Sequence, residues 1–374
     1  MDKYEREKYR KRQALRKKKK QQAINRLLTF ILVALVAAIV LYLVISRQQQ
    51  GQTEVQSQVT QNALSTQDSF SIEDLPVDTT AAAEVITSET VNVAKRAIYE
   101  GTFLEHFKVG SAYLVDDLGN VLYAQDENER NYPASTTKLM TMILALENVE
   151  DLDEIVTIGT LYSCYEEDSM LFGLSYGDRI SMRDLLYGMI IMSYNDFAAA
   201  IGIEIGGSIE AFADMMNAKA AELGMNNSHF VNPHGLYNED HYMTAHDLNL
   251  LVQEASKYDF FLETQASDSR TITLLYDGWE QTYEITNKNY FHTGEYNVSS
   301  LTFLGGKTGY IPQSHSSYAS VFTDGERTYY CAILSSADSP YMTALLLDYM
   351  FEPESMASLL EITPILSILY GYYG

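Results

Sequence analysis

Tyr132-Pro133-Ala134-Ser135-Thr136-Thr137-Lys138 runs directly into Leu139-Met140-Thr141-Met142-Ile143-Leu144-Ala145-Leu146, and the reading of the 374-residue chain turns on this stretch. The apolar run from Leu139 reads as a buried helix, with Ser135 at its start and Lys138 one turn further on. Side chains three apart on a helix share a face, so hydroxyl and amine fall within hydrogen-bond reach. A serine hydroxyl is barely ionised at neutral pH and needs a base to act as a nucleophile. A lysine amine can be that base only when neutral, which requires a nearby positive charge or exclusion of water. Alone, the spacing fits a serine capping a helix equally well.

Two further motifs separate these readings. Ser193-Tyr194-Asn195 interrupts an apolar helical stretch between Leu185–Met192 and Phe197–Ile205, and Lys307-Thr308-Gly309 follows Leu304-Gly305-Gly306. Ser-x-x-Lys, Ser-x-Asn and Lys-Thr-Gly in this order are the pattern of penicillin-binding proteins and serine β-lactamases. Asn232-Pro233-His234-Gly235-Leu236, His241-Tyr242-Met243-Thr244-Ala245 and Thr286-Asn287-Lys288-Asn289 agree with it. Over about residues 104–351 the chain resembles the serine-type D-alanyl-D-alanine carboxypeptidases, which are low-molecular-mass penicillin-binding proteins.

The resemblance implies an α+β fold of the β-lactamase-like transpeptidase type, an antiparallel sheet flanked by a helical subdomain. It implies Ser135 as nucleophile, Lys138 as general base, Ser193 as proton relay and Asn195 as the residue that positions Lys138 and substrate. Lys307 would supply electrostatics and help relay the proton. Lys307, Thr308, Gly309 and Tyr310 would bind substrate, with the backbone N–H groups of Ser135 and Tyr310 forming the oxyanion hole. The implied substrates are peptidoglycan stem peptides ending in D-Ala-D-Ala, with β-lactams as covalent inhibitors and no cofactor.

Some positions depart from the family pattern. Tyr194 stands where relatives usually have glycine, and Ile311-Pro312-Gln313-Ser314-His315 where they often have threonine followed by Ala-Gly. Relatives commonly carry an arginine just beyond the last strand, whereas Ser335-Ser336-Ala337-Asp338-Ser339-Pro340 has none and Arg327 precedes that strand. Carboxylate recognition would then rest on Lys307 and Thr308. A β-lactam-acylated sensor or wall-binding module without turnover stays open. So does a β-lactamase, although no Glu-x-x-Leu-Asn stretch lies between Asn195 and Lys307. Tyr132 and Met192, beside the motifs, read as packing residues.

The formal charge of −24 conceals an asymmetry: residues 1–26 carry twelve Lys/Arg against three acids, and the remaining chain fourteen against forty-seven. Between the blocks lies an uncharged run, residues 27–45, which as a helix would span roughly 28 Å, close to the thickness of a bilayer core. It reads as a transmembrane helix in contact with membrane lipid. Positive charge stays inside, so residues 1–26 are expected in the cytoplasm and the bulk of the chain outside the cell. The run Arg16-Lys17-Lys18-Lys19-Lys20 fits this orientation signal better than a nucleic-acid patch. Residues 46–100 are polar and aperiodic and read as a flexible extracellular linker. Residues 104–351 are the catalytic-domain candidate, and residues 352–374 form an apolar tail of open role. The sequence leaves open whether Cys164 and Cys331 pair, with two buried thiols the better fit, and no histidine spacing suggests a metal site.

Within the domain, Ser111–Asp116 and Val121–Gln125 predict a hairpin, and Gly305–Tyr310, Ser316–Thr323 and Thr328–Leu334 predict late strands. Helices are expected after Ser181, over Ile209–Leu223, from Thr244 to about Ala255, and over Tyr341–Phe351. Strands at both ends around a helical middle predict one antiparallel sheet built from the two ends of the domain.

Overall fold

The two ends of the domain do meet in one antiparallel sheet. In the computed structural model, which describes Phe103 and residues 106–352 except 162, 163 and 165–168, β1 (Val109–Asp116) pairs with β2 (Val121–Gln125) as the predicted hairpin. The other neighbour of β1 is β9 (Thr328–Ser336), with Leu114 opposite Cys331. β8 (His315–Thr323) and β7 (Thr302–Ile311) complete the order β2-β1-β9-β8-β7, so the strand that carries Lys307-Thr308-Gly309 lies at the edge.

Alternation along the central strands divides two cores. Ala332 and Leu334 of β9 face one side and Cys331 and Ile333 the other, and β8 divides likewise between Ala319 and Tyr318. On the second side lies α7 (Ser339–Phe351), capped by Asp338, together with Phe103 and Phe107. The first side is covered by helices. α1 (Lys138–Asn148), α2 (Met182–Ile191), α3 (Asn195–Gly206), α4 (Ile209–Glu222) and α5 (Ala245–Ala255) share that core, followed by α6 (Asp259–Gln265). α2 and α5 begin where the sequence placed them, because Ser181 and Thr244 each accept a hydrogen bond from a backbone N–H three residues on. Asn249 fixes α5 to the sheet: its buried amide donates to the carbonyls of Tyr113 (3.2 Å) and Tyr330 (2.7 Å), tying together β1 and β9.

One expectation needs correction. Beside the five-stranded sheet stands a second, four-stranded antiparallel sheet in the order β3 (Ile155–Thr157), β4 (Arg179–Ser181), β5 (Ser269–Tyr276), β6 (Trp279–Thr286). β5 and β6 are joined through Asp277-Gly278, with Gly278 at φ +83°. β3 and β4 are only three residues each, and β6 is largely exposed, so this sheet leaves a weak hydrophobic pattern.

Both cysteines are buried and unpaired. The described residues belong to the compact unit Val85–Gly374, while the unit Met1–Glu84 lies outside them. The expected basic tail, membrane span and linker over residues 1–100 also lie outside the described residues, as do residues 353–374. Among the described residues no helix is long and apolar enough to cross a membrane.

Candidate active site

The helix start around Ser135 is tighter than a regular α-helix. Ala134–Thr137 form a 3-10 turn that passes directly into α1 at Lys138. With three residues per turn, positions i and i+3 eclipse, and Lys138 Nζ lies 2.7 Å from Ser135 Oγ. Ala134, just before the serine, is held at φ +53°. The turn is pinned where Thr136 Oγ1 donates to the Pro133 carbonyl at 2.7 Å and Ser314 Oγ to the Tyr132 carbonyl at 2.8 Å.

Two glycines let backbone close on this turn from either side. Gly309 of β7 has no side chain where an added Cβ would stand 2.8 Å from Ser135 N and 2.9 Å from the Pro133 carbonyl. Gly235, at φ +82°, lies where a Cβ would overlap the Ala134 carbonyl. That second approach brings the His234 carbonyl to within 2.7 Å of Lys138 Nζ. Asn195, first residue of α3, places Oδ1 2.7 Å from the same nitrogen. Lys138 therefore has three oxygen partners at one distance and no exposed surface.

The second lysine holds the second serine. Lys307 Nζ donates to Ser193 Oγ at 3.0 Å and to the Thr308 carbonyl at 2.8 Å. Ser193 sits at φ +60°, a left-handed conformation seldom adopted outside glycine and asparagine, in the kink between α2 and α3. Burial, chiefly, and the Lys307 charge next hold the Lys138 pKa well below the usual lysine range, and the Asp196 carboxylate opposes them. Burial brings Lys307 down to about 7. Water exclusion thus outweighs the charge of Lys307 in lowering the Lys138 pKa.

The structure brings Ser135, Lys138 and Asn195 into one cluster and Lys307 and Ser193 into another, while Gly309 lies against Ser135. Thr308 and Tyr310 follow on the same edge strand, with Tyr310 65% exposed. Arg327 stays apart, paired with Asp116 at 3.1 Å. In the arginine-free segment at residues 335–340, Asp338 accepts from Tyr296 Oη at 3.0 Å and from Tyr341 N at 3.1 Å. Tyr194 does not stand alone over the cleft, because its ring packs on Phe172 and Phe197 with centroids 5.5 and 5.2 Å away. Tyr132 and Met192 are half-buried packing residues, Tyr132 edge-on to Tyr237.

The His234 carbonyl had no assigned part, although the Asn232–Leu236 motif that carries it was visible. Its conformation comes from Asn232, whose Oδ1 accepts from Gly235 N at 2.7 Å. His241 places Nε2 2.8 Å from Thr137 Oγ1 and accepts from Val231 N at Nδ1, 3.2 Å away. Burial first lowers its pKa to about 3, so it is neutral. Asn289 braces β7: its amide donates to the Gly306 carbonyl at 3.4 Å and its Oδ1 accepts from Tyr318 Oη at 3.0 Å. Among the described residues no cluster of His, Cys, Asp and Glu could hold a metal ion.

Known proteins share this arrangement. The profile of the D-alanyl-D-alanine carboxypeptidase family matches residues 95–335. The D-alanyl-D-alanine carboxypeptidase DacF of Bacillus subtilis (strain 168) is 39% identical over 155 residues, which are 40% of this chain and 39% of that protein. The D-alanyl-D-alanine carboxypeptidase of Streptomyces sp. (strain K15) is 29% identical over 62% of this chain and 82% of its own length. The solved structure of the Streptomyces K15 DD-transpeptidase has a TM-score of 0.60 at 27% identity and covers 65% of this chain and 97% of that one. A D-alanyl-D-alanine carboxypeptidase structure from Mycobacterium tuberculosis H37Rv has a TM-score of 0.57 at 27% identity, covering 65% and 90%. With the three motifs gathered on one α+β framework and the family profile matched across the whole of their span, the chain belongs to the D-alanyl-D-alanine carboxypeptidase family.

Proposed function

We propose that the protein removes the terminal D-alanine from peptidoglycan stem peptides through an acyl-enzyme on Ser135. The observation that carries this is the partner set of Lys138. A neutral amine has two N–H bonds and one lone pair. The carbonyl oxygens of Asn195 and His234, each 2.7 Å away, take the two N–H bonds. The lone pair is left for the hydroxyl proton of Ser135, also at 2.7 Å. An ammonium would donate to all three oxygens, so the geometry accommodates either state, and it is the pKa, lowered first by burial and then by Lys307, that favours the neutral amine.

On this reading Lys138 takes the Ser135 proton as Oγ attacks the carbonyl between the two D-alanines. The backbone N–H groups of Ser135 and Tyr310 bind the oxyanion, and Gly309 gives substrate room along the edge of β7. Lys307 and Thr308 bind the terminal carboxylate, and Ser193, polarised by Lys307, gives its proton to the leaving D-alanine nitrogen as it takes up the proton that Lys138 received. Asn195 holds Lys138 and the substrate amide. Water then enters, Oγ leaves, and the shortened peptide is released. Cleavage of the β-lactam ring by the same attack would leave a covalent adduct.

The chain is further proposed to be anchored through residues 27–45, with residues 1–26 cytoplasmic and the enzyme outside the membrane. The uncharged run flanked by twelve basic residues supports this. A second reading, acylation without turnover, is favoured by one observation: the segment at residues 335–340, at the end of β9, carries no arginine to hold the substrate carboxylate. Incubating the detergent-solubilised full chain and Ser135→Ala with a D-Ala-D-Ala pentapeptide, and measuring D-alanine and penicillin adduct mass, separates the two. Wild-type D-alanine release that is absent from Ser135→Ala supports the carboxypeptidase. A Ser135 adduct without D-alanine release supports the second reading, and no adduct refutes both.

A further inference from the structure

The loop at residues 170–174 is fastened to the turn that carries Ser193 and Asn195. Asp196, the residue after Asn195, has no exposed surface. Its Oδ2 accepts from Gly173 N at 2.7 Å and Leu174 N at 3.0 Å, and its Oδ1 from Phe172 N at 3.1 Å and Phe197 N at 3.2 Å. Asn195 N donates back to the Met170 carbonyl at 2.8 Å. The attachment therefore runs both ways across the two residues. Asp196 also stands in the first turn of α3, where an acidic side chain is favoured.

The clamp has two consequences for the neighbouring chemistry. It presents the Phe172 ring to Tyr194, Phe197 and Tyr283, with centroids 5.5, 5.0 and 4.9 Å away, so the middle residue of the Ser193-Tyr194-Asn195 motif is braced from outside. It also fixes one negative charge near Lys138. The other titratable groups that feel Asp196 or Lys138 are neutral: burial first raises Cys164 to about 12 and Tyr194 above its usual range, and lowers His241 to about 3. Asp196 is thus the one anion among the named influences on Lys138, and it moderates the fall of the lysine pKa.

We propose that Asp196 is a positioning residue for Ser135 acylation, setting the place of Asn195 through the 170–174 loop and the charge felt by Lys138. The inference rests on Ser135 and Lys138 acting as nucleophile and base. An asparagine would keep the size of the side chain but lose the charge and one of the two acceptor oxygens. Asn195 would then shift relative to Lys138, and the lysine would become easier to deprotonate.

The test is the acylation rate of the full chain by a fluorescent penicillin as a function of pH, for wild type, Asp196→Asn, Asp196→Glu and Phe172→Ala, with thermal melting of each. Asp196→Asn should lose at least about tenfold in acylation rate at its optimum, since small misplacements at a reacting centre are costly. Its acid limb should move to lower pH, because the anion that raises the Lys138 pKa is gone. Asp196→Glu, which keeps the charge, should leave that limb in place, as should Phe172→Ala, which keeps the carboxylate and loses the ring contacts. An Asp196→Asn limb that stays at the wild-type pH overturns the inference even if the protein melts earlier, because a purely structural role lowers stability without moving it. Should wild type form no adduct at Ser135, the functional reading fails along with this one. Normal wild-type labelling with an unmoved Asp196→Asn limb refutes this inference alone.

Discussion

Replacing Gly309 by alanine should disable acylation while leaving the fold in place. The added Cβ would stand 2.8 Å from Ser135 N, 2.9 Å from the Pro133 carbonyl and 3.0 Å from Ala134 Cβ. Two of these are backbone atoms, and the turn that holds them is pinned by Thr136 and Ser314, so no flexible side chain can give way. Ordinary contact begins near 3.4 Å, so strand and turn must part by about 0.6 Å at the closest atom. Overpacking of this kind costs about 1–3 kcal/mol. Displacement by a fraction of an ångström at the reacting atoms costs roughly ten- to a hundredfold in rate, given about a hundredfold per ångström. The assay is the second-order rate of labelling by a fluorescent penicillin, beside thermal melting and the control Gly159→Ala, whose added Cβ meets nothing within 4 Å. Gly309→Ala labelling within threefold of wild type would refute the argument that β7 and the Ser135 turn are in fixed, close contact.

The pH dependence of kcat/KM for a D-Ala-D-Ala peptide should be bell-shaped. The acid limb reports protonation of Lys138. The alkaline limb should fall near pH 7, where free Lys307 loses the charge that attracts the carboxylate, and a flat profile from pH 6 to 9 would contradict this. Stability should move the other way. Because the folded pKa of Lys307 lies near 7 and the unfolded one near 10.5, the unfolded chain binds more protons between these values, and stability rises with pH through that window, by at most about 1.4 kcal/mol per unit. Lys307→Met should therefore show a shallower rise in denaturation free energy between pH 7 and 9 than wild type. Away from the cleft, Asn249→Ala should lose about 1–3 kcal/mol in urea unfolding, since the carbonyls of Tyr113 and Tyr330 lose their donor. Its penicillin labelling rate should be unchanged while the protein stays folded.

The parts of this molecule that local chemistry dictates were legible in its sequence. The five strands of the large sheet are short runs rich in β-branched, aromatic and apolar residues bounded by turn signals, and capping by Ser181 and Thr244 marked two helix starts. Ser135 and Lys138 were readable because three-residue spacing fixes their mutual reach, whether the turn is α or 3-10. The second sheet was missed although Tyr276-Asp277-Gly278-Trp279 is a hairpin signal between alternating runs, with Ile272 and Leu274 as the inward positions. β6 hides it, because a strand that is mostly exposed need not be apolar. The His234 carbonyl and the Asp196 clamp could not be read from side-chain types. One acts through a backbone oxygen and the other on backbone N–H groups about two dozen residues earlier, and both depend on close approach in three dimensions.

The same limit applies to the state of Lys138. Ser-x-x-Lys sets the distance between hydroxyl and amine but says nothing about the charge on the nitrogen, and at an exposed helix start the lysine would be protonated and idle. What lowers the pKa is the position of α1. Every residue from Lys138 to Ala145 is buried, so the helix enters the core at the lysine itself, and the amine is desolvated by the framework rather than by its neighbours in sequence. Burial leads the causes that lower its pKa, with Lys307 second. Backbone conformations that are unfavourable in isolation mark both sides of the cleft, Ala134 at φ +53° and Ser193 at φ +60°, each beside a residue of the charged cluster. Such conformations persist only where surrounding contacts over-determine them. Here those contacts are the approach of Gly235 to the Ala134 carbonyl, the hydrogen bond from Lys307 to Ser193 Oγ, and that from Asn195 N to Met170. The motif therefore brings hydroxyl and amine together, and the buried helix, the two glycines and the strained turns hold the amine in the setting that lowers its pKa.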